Sequence, residues 1–553
     1  MKLYNNIWCE TLFYLFGVAI LYYNQFIGWN GEYLDTDCFF HALRMIQWFE
    51  NPSFFEQKMW WSNYPFGEIS HWTKVIYIVW GMFTLPFLFF YSLKDAVFNA
   101  GLIICPFFLS LSVVFLVKVL RKILSFKCRL LVFALLFVQS NFMRVSIFYR
   151  PDHHVMFVFA TVFIFYLVSL FIDKKDDKLL KLMAITLACC LWLAVEGVFL
   201  FVGVAGFLYV SYLFLGYKYE YLRKLCLWYV IGICACVIVN PCYQGWFYLD
   251  TGRISLFYVI VFGGLFTFVE SVKNIDNKVK QTAMLVGLVS GFVLILFALG
   301  WIKNPVDERL NDIFIARITE MKGIDIYTGA YPFVGLLIGG IIFKKHFRDE
   351  IFVYLYVSLV LFSLLTFLGI RFLQYSGFYA AVIIALFVHD RVIEHKKVMG
   401  FVMFFVLLEF ISFIANLLVF SSVLAKPAPN IYFYGLNNLP KGSVVTDTFF
   451  APHMIWFGQR PVVASPYHGN VEGILDNHEI LFSSDENKVI ELIKKHKVGS
   501  IYLTKEVDTF YVNPKENCDK LYGKILGCKN YPKWLKLIDN TNGAMFEVDY
   551  KQL

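Results

Sequence analysis

The chain has 553 residues, of which 59% are hydrophobic, 19% are aromatic and only 16% are charged. A soluble domain carries roughly 25% charged residues, so the composition excludes a soluble globular protein and predicts an α-helical polytopic membrane protein. The formal net charge of +8 is explained by basic loops at a membrane surface, and nucleic acid is therefore not an expected partner.

Apolar runs of roughly 17 to 25 residues predict the membrane spans. The first run, residues 11–28, is read as an uncleaved span because no small-residue cleavage site follows it. The other candidate runs are residues 74–92, 97–120, 129–147, 154–172, 180–195, 196–216, 224–242, 254–271, 281–302, 331–344, 350–370, 372–389 and 398–425.

Loops rich in Lys and Arg decide the orientation, because such loops stay cytoplasmic. They lie at residues 121–129, 173–181, 218–224, 273–280, 344–348 and 391–397, and all fall on one face when the spans alternate from residue 97 onward. With the N-terminus inside, segment 74–92 then does not cross, which leaves about 13 transmembrane helices and an external tail. If segment 74–92 crosses, the N-terminus lies outside and residues 29–73 are cytoplasmic. We prefer the first arrangement, because Lys74, Gly81 and Pro86 make this segment a poor span.

The density of charge divides the chain in two. Charged residues make up about one in seven of residues 1–425 and about one in four of residues 426–553. We therefore expect a transmembrane domain over 1–425, with a long first external loop at 29–96, and a separate domain over 426–553. Short β-branched runs beside helix-like segments predict that the second domain is a small external α/β domain. A disulfide between Cys518 and Cys528 is possible if the tail faces an oxidising compartment.

An acidic motif follows the first span. Asp35 and Asp37 stand two residues apart at the start of a loop of about 45 residues, which is unusually long for a simple connection. Two carboxylates at this spacing offer the oxygen ligands that Mg²⁺ or Mn²⁺ prefer. The alternative is an N-cap with a solvated charge beside it.

A second motif, Arg150-Pro-Asp-His-His154, lies where the chain re-enters the membrane. Ionisable groups at such a boundary are expensive and usually functional, and Asp152 with His154 could share one ion. Capping of the next helix by Asp152 is the alternative.

Two further features lie on the same predicted face. Residues 303–331 contain Arg317-Ile-Thr-Glu320, which is otherwise explained as part of a solvated loop. Arg371 stands between two apolar runs and needs an anion there, either a protein carboxylate or a ligand phosphate, unless its side chain snorkels to the interface.

The order and sidedness of these motifs resemble the GT-C glycosyltransferases, and most closely the catalytic subunit family of oligosaccharyltransferases of the bacterial and archaeal single-subunit type. The resemblance implies an acidic motif in the first external loop, a DHH motif in the second, a TIxE-type motif after the ninth span and an external C-terminal domain. It implies that Asp37, or Asp35, is the carboxylate that binds metal and activates the acceptor. Asp152 and His154 would be metal ligands, and Glu320 would be the third-loop carboxylate, both catalytic and metal-binding.

The implied cofactor is a divalent metal ion, Mg²⁺ or Mn²⁺. The implied donor is a sugar linked to a polyprenyl mono- or diphosphate, whose phosphate would be held by Arg371 together with His153 and Arg150.

The tail departs from this family. It lacks a WWDYG-type sequence and instead carries Val444-Val-Thr-Asp-Thr-Phe-Phe-Ala-Pro-His453 and Arg460-Pro-Val-Val-Ala-Ser-Pro-Tyr-His468. Asp447, His453 and His468 fall at predicted strand ends, where ligand-binding residues collect, and form a candidate acceptor site, although both histidines are also explained as structural.

The predicted function is metal-assisted transfer of a sugar or oligosaccharide to a lipid, glycan or protein acceptor on the external face of the plasma (inner) membrane, with the C-terminal domain periplasmic or external. The alternative is a transporter or flippase in which Asp152, Glu196, Glu270 and Arg371 line a charge pathway.

Overall fold

The computed structural model describes residues 6–55, 57–70, 72–302, 306–314, 318, 326–390, 440–504, 513–540 and 543–553. The predicted span 398–425 and the predicted domain boundary at residue 426 lie outside these residues.

Fifteen helices precede the tail within the described residues. They are α1 Ile7–Ile27, α2 Thr36–Glu50, α3 Val75–Phe87, α4 Leu93–Ile123, α5 Phe126–Val138, α6 Ser140–Val145, α7 His153–Lys174, α8 Asp177–Leu193, α9 Gly197–Phe214, α10 Tyr219–Val239, α11 Leu256–Ser271, α12 Lys278–Ala298, α13 Ile326–His346, α14 Glu350–Leu368 and α15 Leu373–His389. Every predicted span between residues 11 and 389 contains a helix.

Eight helices in the described part of the chain are long and apolar enough to cross a membrane. They are α1, α4, α7, α9, α10, α12, α14 and the segment Ile370–His389, which contains α15. The predicted class, an α-helical polytopic membrane protein with a C-terminal α/β domain, is confirmed. The total of about 13 spans stays a prediction.

The predicted span 129–147 is wrong as one continuous helix. The chain breaks at Gln139, which adopts an extended conformation between α5 and α6. The Gln139 amide donates to the carbonyls of Leu135, at 3.2 Å, and Gly377, at 3.3 Å, so a side chain holds the interrupted backbone in place. The chain then turns back so that the thiol of Cys105 on α4 donates to the Arg150 carbonyl at 2.9 Å.

Helices α3 and α4 form a hairpin on the side of the first loop. The Trp80 indole on α3 donates to the Val97 carbonyl near the start of α4, at 2.9 Å, and Tyr33, just beyond α1, donates to the Phe98 carbonyl at 2.8 Å. The end of α1 and the start of α4 therefore lie together, and α3 folds back beside α4. This geometry supports the preferred arrangement, in which segment 74–92 does not cross.

The contacts of helix α10 show at which end of the helix bundle Glu270 lies. Arg223, near the start of α10, pairs with Glu270, near the end of α11, at 3.0 Å. At the other end of α10, the Asn240 side chain accepts from the backbone N–H of Lys74 at 2.7 Å. Glu270 thus lies at the end that carries the basic loops, away from the loop that holds the acidic motif.

The tail is a small α/β unit. Its sheet has the order β1-β2-β4-β3, in which β1 and β2 are parallel and the other neighbours are antiparallel. The strands are β1 Ser443–Val445, β2 Val498–Leu503, β3 Leu535–Asp539 and β4 Ala544–Val548. The helices are α16 Ala451–Gly458, α17 Val471–Phe482, α18 Glu486–Lys495 and α19 Leu521–Leu526. Cys518 and Cys528 form a disulfide.

The tail packs directly on the first loop. The backbone N–H of Val462 donates to the Trp61 carbonyl at 2.8 Å, and the N–H of Tyr64 donates to the Val462 carbonyl at 3.2 Å. Ring nitrogen Nδ1 of His496 lies 2.7 Å from the Tyr64 carbonyl oxygen. Residues 461–468 therefore run along the loop toward α2, where the acidic motif begins.

Candidate functional site

The first acidic motif starts helix α2. Asp35 is the N-cap of α2, and its carboxylate accepts from the Cys38 backbone N–H at 3.3 Å, so the capping interpretation holds for this residue. Asp37 lies in the first turn of the same helix. One short segment thus supplies a capping carboxylate and a second carboxylate.

The second motif starts helix α7. Asp152 is the N-cap of α7, and its carboxylate accepts from the His153 backbone N–H at 2.5 Å. The side chain is 2% exposed, and its Oδ2 accepts no hydrogen bond within the described residues. An unsatisfied buried acceptor is destabilising, so this carboxylate oxygen is a candidate ligand position.

Arg150 joins the two motifs. Its Nε donates to Asp35 Oδ2 at 2.8 Å, and its Nη2 lies 3.6 Å from Asp152 Oδ2. Burial alone would raise the pKa of Asp35, but Arg150 holds it below the usual value, so Asp35 stays ionised at neutral pH. Both motifs therefore face one buried guanidinium, whose Nη1 also donates to the Arg144 carbonyl at 3.4 Å.

Three side chains converge on a candidate metal centre. One ligand atom from each of His41, Asp152 and His153 lies within 4.8 Å of the others. His41 Nε2 is 3.8 Å from Asp152 Oδ1 and makes no hydrogen bond within the described part of the chain, while His41 Nδ1 faces the Tyr77 hydroxyl at 3.4 Å. Burial lowers the pKa of His41 to about 3, so its imidazole is neutral and its lone pair is available.

His154, the predicted ligand, lies beside this group. Its Nε2 is 3.7 Å from Asp152 Oδ2, and its ring stacks on that of His153 at 4.3 Å. The residues present fit a divalent ion, because a buried carboxylate with unsatisfied oxygen is surrounded by imidazoles. Such a mixed donor set suits Mn²⁺ or another transition metal better than Mg²⁺, which prefers oxygen ligands and bound water.

The tail supplies a partner for Asp37. The Tyr467 hydroxyl donates to Asp37 Oδ1 at 3.1 Å, and the Tyr467 ring packs between Phe40, at 4.1 Å, and Trp72, at 4.6 Å. Burial, and secondly the charge of Asp37, raise the pKa of Tyr467 far above its usual value, so the hydroxyl keeps its proton. Asp37 also lies close enough to His153 to act on it electrostatically.

Arg371 finds a protein carboxylate. Its Nη1 lies 3.3 Å from Glu196 Oε1, and the Tyr375 hydroxyl donates to Glu196 Oε2 at 3.3 Å. The Arg371 side chain is 31% exposed, so the guanidinium is also accessible to a second anion. His468 is its neighbour: burial, and then the charge of Arg371, lower the pKa of His468 to about 4, which keeps this imidazole neutral.

The other predicted tail residues lie against α2. Asp447 accepts from the Phe449 backbone N–H at 2.8 Å and shapes the turn before α16. The Thr36 hydroxyl donates to the Phe449 carbonyl at 3.2 Å, which fixes that turn over the start of α2. His453 packs on Phe39 at 4.5 Å, and burial lowers its pKa to about 4.

Glu320 lies outside the described residues, as does Arg317 of the same motif. The described part of that loop reaches the tail, because Leu310 and Phe314 share a small buried cluster with Ala464 and Ile474. Residues 306–314 of this loop therefore lie close to the tail segment that delivers Tyr467.

Sequence reasoning missed three residues of this site, namely His41, Tyr467 and Glu196. His41 was not singled out, although it stands four residues after Asp37, and in helix α2 this spacing places both on one face. Glu196 entered only in the transport alternative, because nothing in the sequence pairs it with Arg371.

No family model matches the sequence, and no curated protein matches it. Among solved structures the chain is similar to the oligosaccharyltransferase AglB of the archaeon Archaeoglobus fulgidus, solved with an inhibitory peptide and a dolichol-phosphate, at 13% identity and a TM-score of 0.61. That match covers 86% of this chain and 66% of the other.

Two further structures of the Archaeoglobus fulgidus enzyme match at 13% identity. One is a complex with Zn and sulfate (TM-score 0.59; 86% of this chain and 64% of the other), and one is tethered to an acceptor peptide containing the NVT sequon (TM-score 0.60; 94% and 71%). This chain thus spans slightly less than two thirds of the first two structures. The resemblance to GT-C oligosaccharyltransferases is confirmed as a distant likeness of fold.

Proposed function

We propose that this chain is a membrane glycosyltransferase that moves a sugar or oligosaccharide from a polyprenyl mono- or diphosphate to an acceptor, with the help of a divalent metal ion. The observation that carries the proposal is the joining of two acidic helix starts by Arg150, beside buried imidazoles. The fold shared with oligosaccharyltransferases supports it, because a site of this kind lies on a scaffold known for this reaction.

His41, Asp152 and His153 would hold the metal, with Asp37, His154 and Glu320 as further ligands expected from the family resemblance. When bound, the ion supplies a Lewis acid for the charge that develops on the departing phosphate. Asp35 is proposed to act through Arg150, since their 2.8 Å ion pair keeps that cation beside Asp152. We therefore assign Arg150 to positioning the carboxylates, in place of the donor-phosphate contact expected from the sequence.

Asp37 is the proposed acceptor-activating carboxylate. Tyr467 donates to one of its oxygens, which fixes the orientation of the carboxylate that would orient or deprotonate the nucleophile. Arg371 is the proposed contact of the donor phosphate, since its guanidinium is partly exposed and a second anion fits its remaining donors. His468, a neutral imidazole beside Arg371, would add a hydrogen bond to the same phosphate.

The class of acceptor is proposed from the ligands of the related structures and from the lack of a WWDYG-type sequence in this chain. The related archaeal structures contain a dolichol-phosphate in one case and an NVT acceptor peptide in another. This chain has no WWDYG-type sequence, and Tyr467 and His453 of the tail lie against the first acidic motif. We therefore favour transfer of a sugar to a glycan or lipid acceptor over en bloc transfer to an Asn sequon in protein.

The site is proposed to face outward from the plasma (inner) membrane. The basic loops within the described residues lie at the opposite end of the helices, and short basic loops stay cytoplasmic. The disulfide between Cys518 and Cys528 agrees with an external or periplasmic tail, because disulfides persist in oxidising compartments. We keep the proposed division into a transmembrane domain, 1–425, and an external domain, 426–553.

A transporter is less well supported. Its proposed charge pathway needed Glu270 in line with Glu196 and Arg371, but Glu270 pairs with Arg223 at the other end of the helices. Glu196 and Arg371 instead pair with each other on the side of the acidic motifs.

Donor turnover by the purified chain tests the proposal. The assay supplies radiolabelled sugars on polyprenyl mono- and diphosphates, with Mn²⁺ and, in separate arms, a peptide with an Asn sequon, a glycan and a lipid acceptor. We expect turnover by the wild type, loss of about 100-fold or more in Asp37→Asn and Asp152→Asn, and no loss in Asp519→Asn, a control at an exposed carboxylate. No turnover of any donor, or unchanged turnover in both site variants, would refute the enzyme.

A further inference from the structure

A second surface with the chemistry of a binding site lies where the first loop meets the tail. Trp60 stands between two cavities, of about 430 Å³ and about 290 Å³, and lines both of them. Tyr64, Lys441 and Arg460 line the larger cavity, and Lys58 and Tyr243 line the smaller one. We call these six residues the Trp60 surface; none of them belongs to the candidate catalytic site.

The Trp60 ring is exposed on a rigid support. Its side chain is 52% exposed, yet the flanking backbone is fixed by a pair of hydrogen bonds between Met59 and Glu68, at 2.8 and 3.1 Å. Gly67 adopts a positive φ of 74°, and a Cβ there would lie 2.9 Å from the Trp60 ring, so only glycine lets the ring rest against this turn. An exposed indole held in one position is preorganised for a ligand.

The charge around the ring is of one sign. Among the residues that line the two cavities, the charged ones are Lys58, Lys441 and Arg460, and all three are basic. The Lys58 ammonium lies 5.9 Å from the Trp60 ring and 5.3 Å from the Tyr243 ring. Basic groups on both sides of an exposed ring select an anion that also carries an apolar face.

We propose that the Trp60 surface binds an acidic oligosaccharide. The C–H face of a pyranose packs on an indole ring, and the carboxylates or phosphates of such a glycan pair with Arg460 and Lys441. The site is separate from the metal centre but lies near it. Val462 pairs with Trp61, and Tyr467 reaches Asp37 five residues later, so at roughly 3.3 Å per residue the backbone at Val462 and at Tyr467 is about 17 Å apart at most.

A lipid surface fits this place less well. The neighbouring exposed aromatic residues are Phe54, Phe55, Trp246 and Phe247 on two adjacent loops, and of these Phe55 also lines the smaller cavity. The Trp60 surface is concave, and the larger cavity is walled by tail residues of the α/β unit. The inference goes beyond the proposed transfer reaction, because binding to this surface does not require the donor. It can therefore be measured at equilibrium in the absence of donor.

Isothermal titration of the full chain in lipid nanodiscs tests the inference, with tetragalacturonate as the acidic probe and maltotetraose as the neutral probe. We expect tetragalacturonate to bind at least tenfold more tightly than maltotetraose, and Trp60→Ala and Arg460→Gln each to weaken that binding about tenfold or more. Trp246→Ala and Lys536→Gln, which change an exposed Trp and an exposed Lys outside the surface, should leave the affinity unchanged.

Equal affinity for both probes, no binding of tetragalacturonate, or binding that survives both site variants would overturn the inference. Brominated lipids in the nanodisc test the alternative that Trp60 contacts lipid. The contributions of Trp60 and Trp246 to the fluorescence are obtained by subtracting the spectra of Trp60→Phe and Trp246→Phe from that of the wild type. If bromine quenches the Trp60 contribution as strongly as the Trp246 contribution, Trp60 lies in the bilayer and the proposal is wrong. Because two independent substitutions on different elements are used, misfolding of one variant still leaves a decisive result.

Discussion

The contact between the first loop and the tail should depend on pH through one residue, Glu68. This side chain is 1% exposed, its Oε2 accepts from the Ser465 hydroxyl of the tail, and its Oε1 has no hydrogen-bond partner in the described residues. Burial raises the pKa of Glu68 to about 7 from an ordinary value of 4.5, while Ser465, Ser62 and Arg44 oppose the rise. Substitution Glu68→Gln keeps the shape and removes the titration.

The size of the effect follows from the raised pKa of Glu68. Because the pKa is higher in the folded protein, the carboxyl stabilises the fold fully below about pH 4.5 and this stabilisation is lost as the pH rises through about 7. At roughly 1.4 kcal/mol for each tenfold change in the acid constant, the loss approaches about 3 kcal/mol at full ionisation. Between about pH 5 and about pH 8 the wild type should lose about 2 to 3 kcal/mol relative to Glu68→Gln.

Thermal unfolding of the purified chain in one detergent, followed by tryptophan fluorescence at several pH values, measures this difference. The wild type should fall below Glu68→Gln in midpoint temperature as the pH rises, and the two should converge at low pH. Glu491→Gln, at an exposed position, serves as the matched control and should follow the wild type. Parallel curves for the wild type and Glu68→Gln would refute the reasoning, as would a difference that grows on acidification.

Three further predictions concern the candidate site. Tyr467→Phe keeps the ring between Phe40 and Trp72 but removes the hydrogen bond to Asp37, so kcat/KM for donor transfer should fall by about 10- to 100-fold, the value of a hydrogen bond to a charged group. An unchanged kcat/KM would show that Tyr467 does not orient Asp37 for the reaction. Arg371→Gln should raise the KM for the donor by about tenfold or more while Arg371→Lys retains part of the binding; equal KM values in all three proteins would exclude a phosphate contact. His41→Gln should weaken Mn²⁺ binding by about 10- to 100-fold, as measured by the decrease of the electron paramagnetic resonance signal of free Mn²⁺ during titration. Wild-type affinity in this variant would show that His41 is not a metal ligand.

The membrane architecture was predictable from the sequence because it depends on local properties. Long apolar runs identified most of the helices between residues 11 and 389, including the short segment that became α3, but they did not identify α2, which lies in the first loop. The break at Gln139 was not predictable, because its stabilising partner is the carbonyl of Gly377, more than 200 residues away. A helix interruption satisfied by a distant element leaves no periodic signal.

The candidate site was likewise predictable only in part. Asp35, Asp37 and Asp152 were found because charged residues beside apolar runs are conspicuous, and each lies at a helix start. Their actual neighbours could not be found, since Arg150 joins Asp35 across 115 positions and Tyr467 reaches Asp37 across 430. Contacts at such separations are set by the packing of the tail on the first loop, which short motifs do not encode.

The metal dependence of donor cleavage tests the central claim most directly. The purified chain is treated with a chelator, given a labelled polyprenyl-linked sugar that the wild type turns over, and then supplied with Mn²⁺. Cleavage should stop on chelation and return with Mn²⁺ in the wild type, but should stay absent in Asp152→Asn at every Mn²⁺ concentration. Full-rate cleavage after chelation, or by Asp152→Asn, would contradict a metal-assisted transferase centred on the two joined acidic motifs.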